Sequence, residues 1–216
     1  VKRVCLADMT HIRKTGLRAL SLNEGDRLID VRLTDDTQDM LLITAKGRGI
    51  RFHESEVRAM GRSAVGVKGI ELEEDDRVIG GVRARPEGEV LTITENGFGK
   101  RPPVEDYSIH HRGGKGILAH ALSDATGHIA GCAVVDDDND VLIITDDGVM
   151  IRTDVGDIRL CGRNSKGVIV MRTGDNVHVN AITRVDKEPE EEPAEDEETE
   201  SAETQDVTTE ETDGTE

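Results

Sequence analysis

The sequence predicts an all-β chain of four propeller-like repeats, each a four-stranded blade of about 50 residues, followed by an acidic tail. Three observations carry this reading. An arginine-centred segment recurs at a near-constant interval. Short β-branched runs flank Gly-containing turns. No window holds a sustained 3.6-residue apolar period, so helices are not expected.

The recurring segment reads Lys2-Arg3-Val4, Gly49-Ile50-Arg51-Phe52, Gly99-Lys100-Arg101-Pro102 and Met150-Ile151-Arg152-Thr153, with arginines 48, 50 and 51 residues apart. In three copies a glycine follows the arginine by 15 residues (Gly66, Gly116, Gly167), and in the first copy Gly16 comes two residues early. Behind each glycine runs an apolar stretch, Leu17–Leu20, Val67–Ile70, Ile117–Leu122 and Val168–Met171, and then another, Leu28–Val31, Val78–Val82, Ile129–Val135 and Val177–Ile182. A third run closes three of the copies: Met40–Thr44 before Lys46-Gly47, Val90–Thr94 before Asn96-Gly97, and Val141–Thr145 before Asp147-Gly148. Asn-Gly and Asp-Gly between such runs predict tight hairpins with both turn residues at positive φ. The glycines after the arginines predict positive φ or a close approach between blades. The repeats are framed as 1–49, 50–99, 100–149 and 150–185.

From Asp186 to Glu216 the pattern stops. That segment carries 16 acidic residues against one lysine, leaving 29 acids and 26 bases before it. It holds too little apolar surface to offset chain entropy, which predicts disorder over 186–216. Of the net charge of −18, −15 therefore belongs to the tail, and it does not exclude nucleic acid as a partner of the repeats.

Phe52, Phe98 and Tyr107 are the only aromatic residues, so the core must be aliphatic, and a stacking platform for single-stranded bases is not expected. Cys5, Cys132 and Cys161 are odd in number and far apart; buried thiols in a reducing, intracellular setting are expected. No run approaches the ~20 apolar residues of a membrane span, and no membrane partner is expected. With no initiator Met and a first repeat that opens in mid-pattern, the chain reads as a piece of something longer.

Basic residues recur at two points of the repeat. One set follows the hairpin turn: Arg48, Arg51, Lys100, Arg101 and Arg152. The other precedes the recurring glycine: Arg13, Lys14, Arg62, Arg112, Lys115, Arg163 and Lys166. Equivalent positions of a repeat lie on equivalent parts of a rim, so both sets are expected to form one track for the phosphates of duplex DNA. Catalytic patterns are missing. Asp136, Asp137, Asp138 and Asp140 are followed by Val141 where a Ca²⁺ loop needs glycine. His110-His111 and the cysteines lack zinc spacing. In Gly113-Gly114-Lys115-Gly116 a glycine stands where a phosphate-binding loop needs Ser or Thr. Tyr107 is assigned to packing.

These residues resemble a known family, the C-terminal domain of the DNA gyrase A protein. The likeness lies in Arg51-Phe52-His53-Glu54-Ser55-Glu56-Val57-Arg58-Ala59-Met60-Gly61, Asn96-Gly97-Phe98-Gly99-Lys100-Arg101, Val149-Met150-Ile151-Arg152-Thr153 and Gly162-Arg163-Asn164-Ser165-Lys166-Gly167-Val168-Ile169. His111-Arg112-Gly113-Gly114-Lys115-Gly116 is similar to the family's Gln-Arg-Arg-Gly-Gly-Lys-Gly signature, and is read as one of the degenerate copies that each blade carries. The resemblance implies a β-pinwheel, propeller-like with strands exchanged between blades and DNA wrapped on its rim. It implies a non-catalytic part of an ATP-dependent type II topoisomerase that introduces negative supercoils. Its partners would be double-stranded DNA, the gyrase B protein and the N-terminal cleavage module of the gyrase A protein, in a cytoplasmic, chromosome-associated complex. ATP and Mg²⁺ would serve the holoenzyme, with no cofactor or metal on this chain. Rival readings are the corresponding domain of topoisomerase IV, a decatenase, and a propeller-like platform for protein partners.

Overall fold

A computed structural model describes residues 1–10 and 12–187. The expected disordered tail lies outside those residues except for Asp186 and Lys187, and Asp186 still belongs to the last strand. Among the described residues, eleven strands form three antiparallel sheets, and the only helical turns are short 3-10 segments.

Each sheet is organised on a hairpin. The first pairs β1 (Asp39–Thr44) with β2 (Arg48–His53), the second β4 (Glu89–Thr94) with β5 (Phe98–Lys100), and the third β8 (Asn139–Thr145) with β9 (Met150–Asp154). The turn glycines Gly47, Gly97 and Gly148 take φ of +84°, +77° and +88°. Lys46, Asn96 and Asp147, however, do not have positive φ. The turns are therefore three-residue loops closed by a left-handed glycine, not the two-residue type expected from the dipeptides. Thr44, Thr94 and Thr145 are buried at the turn bases, and the first two accept from the N–H groups of Arg48 and Phe98.

A third strand arrives from further along the chain. β3 (Val78–Arg83) pairs with β1, β7 (Ile129–Val135) with β4, and β11 (Val179–Asp186) with β8. The fourth strand is lent by the following repeat: β6 (Ile117–Leu118) lies on β2, and β10 (Val168–Ile169) lies on β5. Val67 makes the same contact with Val1, donating N–H to Val1 O and accepting from the N-terminal amine. A blade thus combines a hairpin, a strand about 25–35 residues later and a borrowed pair of residues. The frames 1–49, 50–99 and 100–149 place their ends inside β2, inside β5 and just before β9, so the sheets run in a different phase from the arginine period.

This exchange explains the recurring glycine. Gly66, Gly116 and Gly167 have φ of +118°, +67° and +75°, and a Cβ there would lie 2.5, 2.4 and 2.3 Å from Val1 O, Gly49 O and Gly99 O. Both expected causes act together. Gly16 has the same φ sign but meets nothing within 4 Å. Leu17–Leu20 and Leu28–Val31, expected as strands, are not paired ones. In the later copies the first stretch lies on the hairpin of an earlier blade and the second on the hairpin of its own sheet.

The core fills the spaces between sheets. Leu41, Ile43 and Val82 meet Val90, Ile129 and Val134, while Leu91, Ile93 and Val135 meet Val141, Ile143 and Val179. A third cluster packs Leu42, Ile50, Phe52, Val57 and Ile70. Full burial of one such aliphatic side chain contributes about 1.5–3 kcal/mol. A 3-10 turn follows each hairpin (Glu54–Glu56, Val104–Asp106, Val155–Asp157), and the residue behind it, Val57, Tyr107 or Ile158, plugs a core cluster. Tyr107 is fully buried, and its hydroxyl has no hydrogen-bond partner among the described residues. The thiols are free, but their burial differs from expectation: Cys5 is exposed and Cys132 and Cys161 are partly covered. Burial pushes Cys132 up to about 12.

Candidate nucleic-acid interface

The two basic sets have different fates. Arg51, Arg101 and Arg152 sit across their hairpins from a carboxylate near the start of the preceding strand: Arg51 Nε donates to Asp39 (2.9 Å), Arg101 to Glu89 (2.6 Å) and Arg152 Nε to Asp140 (2.7 Å). Arg51 also donates to the carbonyls of Val104 and Tyr107, and Arg101 to those of Gly156 and Ile158. Each therefore ties its own hairpin to the 3-10 turn of the next repeat. Arg152 donates to the carbonyl of Asp186. Arg101 is 5% exposed and Lys100 not at all. The rim assignment fails for Arg51, Lys100 and Arg101, because their cationic groups are spent within the fold, on the partly buried carboxylates of Asp39 and Glu89 and on backbone carbonyls. Arg152 is more exposed but paired in the same way, so it belongs with them. Arg48, at the turn, pairs with Glu73 (3.3 Å).

The second set occupies the loops between the 3-10 turns and the borrowed strands. Arg13, Lys14, Arg62, Lys115 and Lys166 are exposed, and their side chains make no ion pair or hydrogen bond among the described residues. Arg112 and Arg163 are half-buried and bridge loops: Arg112 donates to Glu56 O and Lys68 O, and Arg163 to Leu118 O while lying 5.8 Å from the Tyr107 ring centre. Successive loops are joined in series. Ser21 N donates to Ala64 O, Glu71 N to Gly114 O and Ala121 N to Ser165 O.

Further cations share these loops. Arg18, Arg58, Lys68, Arg159 and Arg172 are exposed beside the expected set. A signal for them is present in the sequence. Windows 9–23, 57–70, 107–123 and 158–174 contain 12 Lys and Arg and no Asp or Glu, whereas the rest of 1–185 holds 14 bases and all 29 acids. Charge is thus sorted along every repeat, and hydrogen bonds bring the sorted segments side by side. The result is a row of basic, acid-free loops joined to one another by backbone hydrogen bonds. The aspartates at 136–140 are used elsewhere: Asp136 pairs with Arg85, Asp137 with Arg101 and Asp140 with Arg152.

A strand-exchanging β-blade module with a serial basic track is the class that this fold and surface define. The profile of the DNA gyrase C-terminal domain, a β-propeller, matches residues 12–35, 38–84, 88–136 and 139–186, and the chain belongs to that family. The DNA gyrase A protein of Salmonella typhimurium is 40% identical over 185 residues, which are 86% of this chain and 21% of that protein. The Staphylococcus aureus gyrase A protein is 41% identical over 218 aligned positions, covering 100% of this chain and 24% of that protein. Among solved structures, the C-terminal domain of DNA topoisomerase IV superposes with a TM-score of 0.79 at 28% identity, covering 84% of this chain and 57% of that one. The DNA gyrase A C-terminal domain gives 0.73 at 25% identity, covering 79% and 58%. The chain therefore spans about a quarter or less of the gyrase A proteins and under two thirds of the solved domains it resembles.

Proposed function

We propose that this chain binds duplex DNA along its basic loops and bends it around the blades, as the wrapping domain of a gyrase A protein. The observation that carries the reading is the sorting of charge: exposed, acid-free loops hydrogen-bonded to one another in series. Duplex DNA carries about one charge per 1.7 Å, and each neutralised phosphate releases counterions. A row of equivalent loops meets a phosphate backbone at regular intervals without reading bases. Bending a site costs on the order of 1–6 kcal/mol, which many repeated contacts offset. In the holoenzyme, the bend would present a second segment of the same DNA to the cleavage module with one handedness, so that strand passage driven by ATP adds negative supercoils. ATP, Mg²⁺, the gyrase B protein and the cleavage module belong to that larger assembly in the cytoplasm. Among the described residues no helix is long and apolar enough to cross a membrane.

The likeness to a topoisomerase IV domain supports a second reading, a decatenating relative, though the gyrase A proteins share more identical residues (40–41% against 28%). Binding to duplexes of increasing length tests the wrapping. Affinity should rise steeply with length, and nicked circles sealed in the presence of the chain should change linking number with one sign. Affinity that ignores length, or sealed circles with unchanged linking number, would refute wrapping. Grafting the chain onto a gyrase cleavage module and scoring supercoiling against decatenation separates the two readings.

A further inference from the structure

The bases of the rim loops leave one cation unexplained. Lys100 is fully buried, yet among the described residues its ammonium has no carboxylate partner. Its Nζ donates to the carbonyls of Gly162 (3.4 Å), Arg163 and Ser165 (2.8 Å), all in the rim loop 162–166 that leads into the borrowed strand β10. The next carbonyl in that loop, Lys166 O, accepts from His120 Nε2 (3.1 Å), whose Nδ1 lies 2.9 Å from Thr92 Oγ1. Four carbonyls of one rim loop are thus drawn inward by two buried side chains. The arrangement recurs where lysine recurs. Lys2 Nζ donates to Arg62 O (2.8 Å), Ala64 O (2.9 Å) and Ala19 O (3.0 Å), collecting the equivalent loop 61–64. The matching residues in the other repeats are Ile50 and Ile151. Loop 111–116, over Ile50, has no such lysine and keeps only outside contacts, through Arg112 to Glu56 and Lys68 and through Glu71 N to Gly114 O, of the kind that Arg163 and Ala121 N also give loop 162–166.

We infer that Lys100 is a positioning residue for DNA binding, its ammonium setting the shape of the rim loop at 162–166. The inference rests on the DNA-binding reading above. A protonated amine offers three N–H donors to three carbonyls, and a neutral amine only two. Loss of the proton therefore leaves one carbonyl short and removes a positive charge from beneath the track. The groups facing Lys100 are the Cys161 thiol and Arg163 guanidinium of the loop and the His120 imidazole. Burial brings Lys100 down from 10.5 to about 8, with Cys161 opposing the fall and Arg163 adding to it. Burial first and Lys100 second bring His120 down to about 4, so it stays neutral across that range. The sign for overall stability is opposite to that for binding. The unfolded chain keeps the lysine proton up to about 10.5, so raising pH through 8 favours the folded state through this group. Weaker DNA binding in that window is then not unfolding.

The test measures duplex binding of the whole chain from pH 6.5 to 9.5 at one ionic strength, together with amide hydrogen exchange corrected for intrinsic rates. Affinity should fall across pH 8, and protection of the Ala121 amide, which donates to Ser165 O, should fall with it. The Glu71 amide, which donates to Gly114 O in the lysine-free loop, should stay level. Lys100→Met should bind about two- to tenfold more weakly at pH 7, the size expected for losing the order of one or two side chains, and should lose less affinity with pH. Cys161→Ser should keep a pH-dependent profile, its midpoint moved to lower pH because the thiol no longer opposes the fall. Equal pH slopes in wild type and Lys100→Met, or a slope abolished by Cys161→Ser, would overturn the assignment. If Lys100→Met does not fold, the wild-type contrast between Ala121 and Glu71 decides, and equal protection at both amides across pH 8 overturns it. A wild-type chain that binds no duplex refutes the DNA reading alone, since the amide contrast is read without DNA.

Discussion

The hairpin arginines and the rim-loop cations share a residue type, a charge and a 50-residue period, yet they do opposite work. Arg51 and Arg101 face inward onto Asp39 and Glu89 and onto the next repeat's 3-10 turn. The side chains of Arg62, Lys115 and Lys166 are exposed and have no intramolecular partner among the described residues. Period establishes that positions are equivalent; it does not say whether they are outside. What separates the sets is the nearest acid. Each hairpin arginine follows a carboxylate by 12 residues, which sets the two diagonally across the hairpin, two residues beyond the directly opposite partner (Leu41 for Arg51, Leu142 for Arg152). The loop cations have none within their windows.

The largest expected effect breaks the inward set. Arg101→Ala leaves the partly buried Glu89 without its cation and removes donors from Ile158 and Gly156, and the joint loss of the four hydrogen bonds of this nearly buried guanidinium costs about 3–5 kcal/mol. Chemical denaturation should show that loss, with DNA affinity unchanged in whatever fraction remains folded. A stable Arg101→Ala chain with weakened DNA binding would return Arg101 to the rim. Next comes the exchange point beside the loops. Gly167→Val forces a side chain onto Gly99 O at positive φ, a clash and a strained backbone together costing about 2–5 kcal/mol. Thermal unfolding should register it before duplex binding at low temperature does.

The outward set predicts the reverse pattern. Replacing Arg62, Lys115 and Lys166 together by Gln should move stability by under about 0.5 kcal/mol per site. The same triple variant should lower the slope of log affinity against log salt by about 2–3, near 0.9 per lost phosphate contact. An unchanged salt slope in a folded triple variant would remove these residues from the interface. The smallest effect is at Tyr107, whose raised pKa follows chiefly from burial. Its hydroxyl is buried without a partner, and such a group costs about 1–3 kcal/mol when unsatisfied. Tyr107→Phe should therefore leave stability equal or slightly higher and DNA binding the same; a clear loss of stability would mean that the hydroxyl is bonded.

The sequence by itself determined the repeat, the all-β class, the hairpins, the special backbone at Gly66, Gly116 and Gly167, and the basic character of the loops before them. These are local properties: alternation, turn chemistry and charge are written within a few residues of where they act. Which sheet each strand joins was not local. β6 reaches β2 from a distance of nearly 70 residues and β10 reaches β5 similarly, so the blade's phase could not be taken from the arginine period. The same non-local pairing decided the arginines and Lys100. A cation is an interface residue only if no carbonyl or carboxylate of another repeat claims it first, and which groups lie near enough to do so is set by strand exchange, because burial makes an unpaired charge far more costly than a paired one.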